Sequence, residues 1–120
     1  MKNQPSKSGP VSASTRRRFP RYALDVRFTV DVFRNGDRMS MWGRSNEIGE
    51  DGIGGTLTGE LQPGEVVWLE LTLPRMAIPL KVRALVRYQA GLRHGFEFLT
   101  LTPEQRTGLV RACEMLAAQQ

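Results

Sequence analysis

Leu24-Asp25-Val26-Arg27-Phe28-Thr29-Val30-Asp31-Val32-Phe33 runs directly into Arg34-Asn35-Gly36. Apolar and polar residues alternate along it. Leu24, Val26, Phe28, Val30 and Val32 fall on one face, with Asp25, Arg27, Thr29 and Asp31 on the other, the pattern of a half-buried strand. Asn35-Gly36 is the strongest short-range hairpin signal, because both residues tolerate positive φ. It predicts a return strand over Met39–Ile48. Beyond that strand, Gly49-Glu50-Asp51-Gly52-Ile53-Gly54-Gly55 holds four glycines in seven positions. Such density marks a tight turn, which Asp51-Gly52 could make unaided, or backbone that approaches a ligand closely. A short strand is expected near Ile53–Leu57, and Pro63-Gly64 reads as a turn. Val66–Leu73 reads as a buried strand ended by Pro74. Ile78–Tyr88 and Leu92–Leu99 read as two more strands joined by Gln89-Ala90-Gly91. About six short antiparallel strands predict an all-β domain, a small barrel.

The last segment changes period. Thr102-Pro103-Glu104-Gln105 offers an N-cap threonine, a proline at the first helical position and a glutamine three residues after the cap. Leu109, Ala112, Cys113 and Leu116 then form one apolar stripe, so a helix is expected over about 103–118, packed on the barrel. Cys113 reads as core rather than as a reactive thiol. Trp42 and Trp68 are expected to pack, Trp68 more surely. His94 reads as a polar strand residue. Residues 1–15, rich in Ser, Lys, Pro and Gly, read as a disordered leader ahead of a single domain over 16–120.

Composition removes several function classes. The chain has 120 residues, one cysteine and one histidine. A disulfide framework, a Cys/His zinc site and a histidine-based catalytic engine all lack parts. No 18-residue apolar run and no signal-peptide pattern occurs, so a cytoplasmic location without membrane insertion is expected. The net charge is +5, which by itself prompts a nucleic-acid partner. Its distribution points elsewhere. Residues 1–21 carry Lys2, Lys7, Arg16, Arg17, Arg18 and Arg21 without one acid, while the remaining 99 residues sum to −1. Four of the six arm cations are arginines within Arg16–Arg21, and arginine suits planar recognition of phosphate and of the guanine edge.

Two elements therefore form a candidate site. One is Arg17-Arg18-Phe19-Pro20-Arg21, an RxxxR pair preceded by Arg16. The other is Glu47-Ile48-Gly49-Glu50-Asp51-Gly52. The arginine forks suit phosphate and guanine, the Glu47 carboxylate can accept from guanine N–H groups, and glycines let backbone N–H reach phosphate oxygen. The bland alternatives are a solvated basic arm and a glycine-rich hairpin.

With RRxxxR at Arg16, Arg17 and Arg21, six short strands, the His94-Gly95-Phe96-Glu97-Phe98 strand and a closing helix, the chain resembles a PilZ domain over roughly residues 16–118. The resemblance implies a six-stranded antiparallel split β-barrel with one C-terminal helix. It also implies a non-catalytic receptor for cyclic di-GMP, with no other cofactor. The implied ligand-binding residues are Arg16, Arg17, Arg21, Glu47, Gly49 and Gly52. The family's second motif is D/N-x-S-x-x-G; here Glu47 replaces the Asp or Asn and Gly49 replaces the Ser. An arginine just before RxxxR, here Arg16, is associated in the family with two stacked ligand molecules. The expected mechanism is an arm that is mobile when unbound and folds over the barrel mouth on binding, changing the surface offered to an unidentified effector protein. A degenerate adaptor that binds no nucleotide is the second reading. A nucleic-acid polymer is the third, disfavoured by the neutral body and by the expected lack of an aromatic-rich basic sheet face.

Overall fold

A computed structural model describes residues 18–120. The leading alternation forms strand β2 (Arg27–Arg34) as expected, but Leu24–Val26 stay outside it and separate it from a short strand β1 (Tyr22–Ala23). The interruption has a local cause. Ser45 lies buried opposite it, accepting from Val26 N–H at 3.0 Å through its hydroxyl, which also donates to the Leu24 carbonyl. A side chain thus satisfies backbone groups that a regular ladder would pair. The expected apolar face is kept, with Leu24, Phe28, Val30 and Val32 buried and Val26 half-buried.

Asn35 and Gly36 take φ of 53° and 83°, the two positive values that a twist-matched hairpin turn requires. The return strand β3 (Asp37–Gly49) is 13 residues long and pairs with β2 from Asp37 to Arg44. A bulge between Ser45 and Glu47 re-aims its far end. There it pairs with β1 through Tyr22↔Ile48 and Ala23↔Glu47, and with β4 (Gly52–Leu57) on its other side. Strands β5 (Val66–Leu71), β6 (Leu80–Ala90) and β7 (Arg93–Thr100) complete the order β1-β3-β2-β5-β6-β7-β4, and the β3–β4 pairing closes it. The result is a closed six-stranded antiparallel barrel with one short extra strand.

Inside lie Phe28, Ile48, Ile53, Leu69, Leu80 and Phe96, among others. Phe28 meets Phe96 edge-on with ring centroids 6.1 Å apart. Each such side chain contributes about 1.5–3 kcal/mol on burial. The helix α1 (Pro103–Gln119) starts with the expected capping box: Thr102 accepts from Gln105 N–H at 3.1 Å, and the Gln105 side chain accepts from Thr102 N–H at 3.0 Å. It buries Leu109, Ala112, Cys113 and Leu116, the stripe expected from spacing. After the helix, the Gln120 carboxamide accepts from Ala23 N–H and donates to the Ala23 carbonyl, both at 3.1 Å.

Several expectations need correction. Val66–Leu71 alternates and is half-buried, not buried throughout; Leu73 is still core, although the strand has ended. The β6 strand begins at Leu80, leaving Ile78 exposed. Trp42 and Trp68 do not pack inside. Both stand on the outer face, 41% and 40% exposed, with Arg27 over the Trp42 ring at 4.3 Å and Lys81 over Trp68 at 5.9 Å. The physical reason is parity. Trp42 sits opposite Thr29 and Trp68 opposite Asp31, both of which face outward. An aromatic-rich basic sheet face, expected to be absent, therefore exists. His94 is, as expected, a polar strand residue, and it is buried with both ring nitrogens bonded: Nδ1 donates to the Leu92 carbonyl at 2.8 Å and Nε2 accepts from Leu61 N–H at 3.0 Å.

Candidate functional site

Arg16 and Arg17 lie outside the described residues. Arg21, Glu47, Gly49 and Gly52 are brought together, because the β1–β3 pairing lays the end of the arm along the β3–β4 hairpin. That hairpin turns through Glu50 and Asp51, with Gly49 paired to Gly52. Neither glycine has positive φ, so turn geometry is not why they are glycine. Space is the reason. A Cβ on Gly49 would lie 2.8 Å from the Pro20 carbonyl oxygen and 2.9 Å from Arg21 Cδ. A Cβ on Gly52 would overlap the Phe96 carbonyl oxygen of β7. The glycines let the arm and the barrel backbone close on one another.

Across this glycine floor the Arg21 guanidinium reaches two carboxylates, with Nη1 3.5 Å from Glu47 Oε2 and Nη2 3.4 Å from Asp51 Oδ1. The Arg21 side chain is only 16% exposed. Its Nε and the facing Asp51 Oδ1 are buried without a hydrogen-bond partner among the described residues. The Asp51 contact is thus an ion pair without hydrogen-bond geometry, and Arg21 keeps an unused donor. From the sequence, Arg21 and Glu47 were read as separate ligand contacts; their ion pair and that of Arg21 with Asp51 were both missed, although the position of Asp51 in the turn, on the hairpin that carries Glu47, was the available signal.

Beside the ion pairs, a concavity of about 240 Å³ is lined by Arg18, Phe19, Glu50, Asp51, Phe98 and neighbours, including Arg106 from α1. Arg18 lies over the Phe19 ring at 5.6 Å. Phe19, the aromatic residue of the arm, is half-buried here. Clefts that enclose drug-sized ligands run to roughly 300–1,000 Å³, so with the arm seated this one is small for a large ligand. Charge at the turn is also felt on α1: burial pushes the Cys113 thiol up to about 11, Glu50 and Asp51 push in the same direction, and Arg21 opposes them. Among the described residues no cluster of His, Cys, Asp or Glu could hold a metal ion. No helix among them is long and apolar enough to cross a membrane.

The chain matches the PilZ domain family over residues 15–115. It is a PilZ domain. Solved PilZ structures share its fold. The PilZ domain of YcgR from Escherichia coli, described with c-di-GMP, superposes with a TM-score of 0.69 at 18% identity, covering 87% of this chain and 93% of that one. The PilZ domain of CeSA from a cellulose-synthesizing bacterium gives 0.60 at 14% identity, covering 83% and 97%. The inhibitor of motility MotI/DgrA of Bacillus subtilis gives 0.67 at 17% identity, covering 87% of this chain and 52% of that one. Among curated proteins no match was found. Within the matched range lies the turn Glu47-Ile48-Gly49-Glu50-Asp51-Gly52, whose Gly49 is the residue that Pro20 and Arg21 approach.

Proposed function

We propose that this PilZ domain is a non-catalytic receptor for cyclic di-GMP, bound between the Arg16–Arg21 arm and the Glu47–Gly52 turn. The observation that supports this most is the position of Arg21, a largely buried arginine with an unused Nε–H, set against Glu47 and a glycine floor. Arg17 and Arg21 clamp guanine and phosphate, Arg16 joins them at the arm's outer end, and the Glu47 carboxylate accepts from guanine N–H groups. Backbone N–H groups at Gly49 and Gly52 face the phosphates. The c-di-GMP named with YcgR fits this reading.

The switch differs from simple ordering of a mobile arm. Arg21 is already seated on Glu47 and Asp51, so binding is an exchange of anions, in which ligand phosphate takes the place of Asp51. The lifted arm then presents a changed surface to an effector protein. Calorimetric titration tests the reading: cyclic di-GMP gives saturable heat, and Arg21→Ala abolishes it. No heat at about 50 µM ligand, where even a modest affinity registers, refutes it.

Two observations favour a second reading. Gly49 lacks the family's serine hydroxyl, and Asp51 already neutralises Arg21. Both fit an adaptor that signals through protein contacts without nucleotide. That reading predicts no heat for the wild type and a recovered response on combining Gly49→Ser with Glu47→Asp.

A further inference from the structure

From the outer sheet face around Trp42 and Trp68 we infer a docking surface for an acidic, apolar-bearing segment of a partner protein, independent of the nucleotide site. The face is built by register. Trp42–Thr29–Glu70–Lys81 and Ser40–Asp31–Trp68–Arg83 form two rows across β3, β2, β5 and β6, and Phe33 stands opposite Arg38 at their end. Phe33 is 62% exposed and shares a concavity with half-exposed Trp68, while half-exposed Trp42 stands further along the same face, opposite Thr29. Three exposed aromatics on one face are more than scattered surface apolarity, and aromatic side chains are the usual anchors of protein interfaces.

Charge and shape narrow the occupant. Arg27, Arg38, Lys81 and Arg83 stand on this face against the carboxylates of Asp31 and Glu70. None of the four cations takes part in an ion pair among the described residues. Asp31 is engaged internally, accepting from the Ser40 hydroxyl at 2.6 Å. A concavity of about 470 Å³ is lined by Phe33, Trp68, Arg38, Lys81 and Asp31. An apolar side chain fits between Phe33 and Trp68, and flanking carboxylates meet Arg38 and Lys81. Arg27, stacked on Trp42 at 4.3 Å, keeps its in-plane N–H edge free for a bidentate carboxylate.

The same stacking disfavours a single-stranded nucleic acid, because Arg27 and Lys81 lie over the ring faces on which bases would stack. Residues 1–17 are basic and without acids, so they are not the occupant. A second copy in a two-fold contact would set this basic face against itself.

The chain supplies its own reporter, since Trp42 and Trp68 are its two tryptophans and both belong to the face. The full chain is titrated with a synthetic peptide of alternating Glu and Leu, with its Lys/Leu counterpart, and with oligothymidylate, following tryptophan emission. The Glu/Leu peptide gives a saturable change. Its affinity falls several-fold when salt rises from about 0.05 to about 0.3 M, and by tenfold or more in the double variant Arg38→Glu, Lys81→Glu. Circular dichroism confirms that this variant folds, and Arg38→Gln with Lys81→Gln gives a smaller loss in the same direction. Glu104→Gln, in the exposed first turn of α1, responds as the wild type does. No emission change up to about 1 mM peptide, an equal response to the Lys/Leu peptide, a response to oligothymidylate alone, or self-association through this face in sedimentation each overturns the inference.

Discussion

Gly49→Ser is expected to move stability and ligand affinity in opposite directions. A Cβ at this position falls 2.8 Å from the Pro20 carbonyl oxygen and 2.9 Å from Arg21 Cδ, so Pro20 and Arg21 must lift. What they lose is two ion pairs, at 3.5 and 3.4 Å. At that separation the bare attraction is about 1.2 kcal/mol in water and roughly 5 kcal/mol at an effective dielectric of 20. Glu47 and Asp51 are 28% and 35% exposed, so screening and side-chain entropy bring each pair down to about 0.5–1 kcal/mol. The expected destabilisation is therefore about 1–2 kcal/mol, a fall in Tm of roughly 4–12 °C for a domain near 100 residues. Binding gains in the same variant, because Arg21 is released and a hydroxyl is added. A net gain of about 1.4 kcal/mol corresponds to tenfold tighter cyclic di-GMP. Thermal unfolding without ligand and calorimetric titration with it read the two effects. Gly49→Ala separates them, since it carries the same Cβ without the hydroxyl: it matches the serine variant in Tm and falls short of it in affinity. An unchanged Tm in both variants would show that Pro20 and Arg21 do not rest on residue 49 in solution, and the reasoning would fail.

Asp51→Asn removes the anion that ligand phosphate must replace, so calorimetry should show cyclic di-GMP binding roughly five- to tenfold tighter; equal or weaker binding argues against anion exchange. Gly52→Ala drives a Cβ into the Phe96 carbonyl oxygen at the β4–β7 pairing that helps close the barrel, and denaturant unfolding should show a loss of about 3 kcal/mol or more. The hydrogen bond from Arg34, opposed by burial, holds the Glu65 carboxyl below its ordinary range. Because the folded-state value is the lower one, this pair stabilises the protein above the ordinary carboxylate range and ceases to do so as pH falls through the folded value. Glu65→Gln should therefore unfold at lower temperature than the wild type near pH 7, and the gap should close as the pH falls through the depressed folded-state value.

The barrel was legible because its strands obey a period that burial imposes. Phe28, Val30 and Val32 point inward for the same reason that they alternate with Arg27, Thr29 and Asp31, and Asn35-Gly36 can hardly be read as anything but a hairpin. What escaped was parity across strands. Within VVWLEL the tryptophan looks like core by composition, yet Val67 and Leu69 take the inward positions and Trp68 is left outside. Only the pairing register decides that. The glycines of the second motif were read as a tight turn or as backbone that a ligand approaches closely, whereas the approaching group is part of the chain itself. It is Pro20 and Arg21 for Gly49, and the backbone of β7 for Gly52. Ser45 and His94 were equally hidden, because their roles depend on backbone atoms 21 and 33 residues away.

The Gln120 carboxamide makes to Ala23 the donor–acceptor pair that an adjoining strand would make. Its consequence is mechanical. The two-residue strand that leads out of the arm is gripped by β3 on one side and by the end of α1 on the other, so a displacement of Arg18–Arg21 meets a fixed pivot at Tyr22. On the proposed mode of binding, the strain of any change at Arg18–Arg21 would be borne by the backbone of Ala23, held on both edges at once.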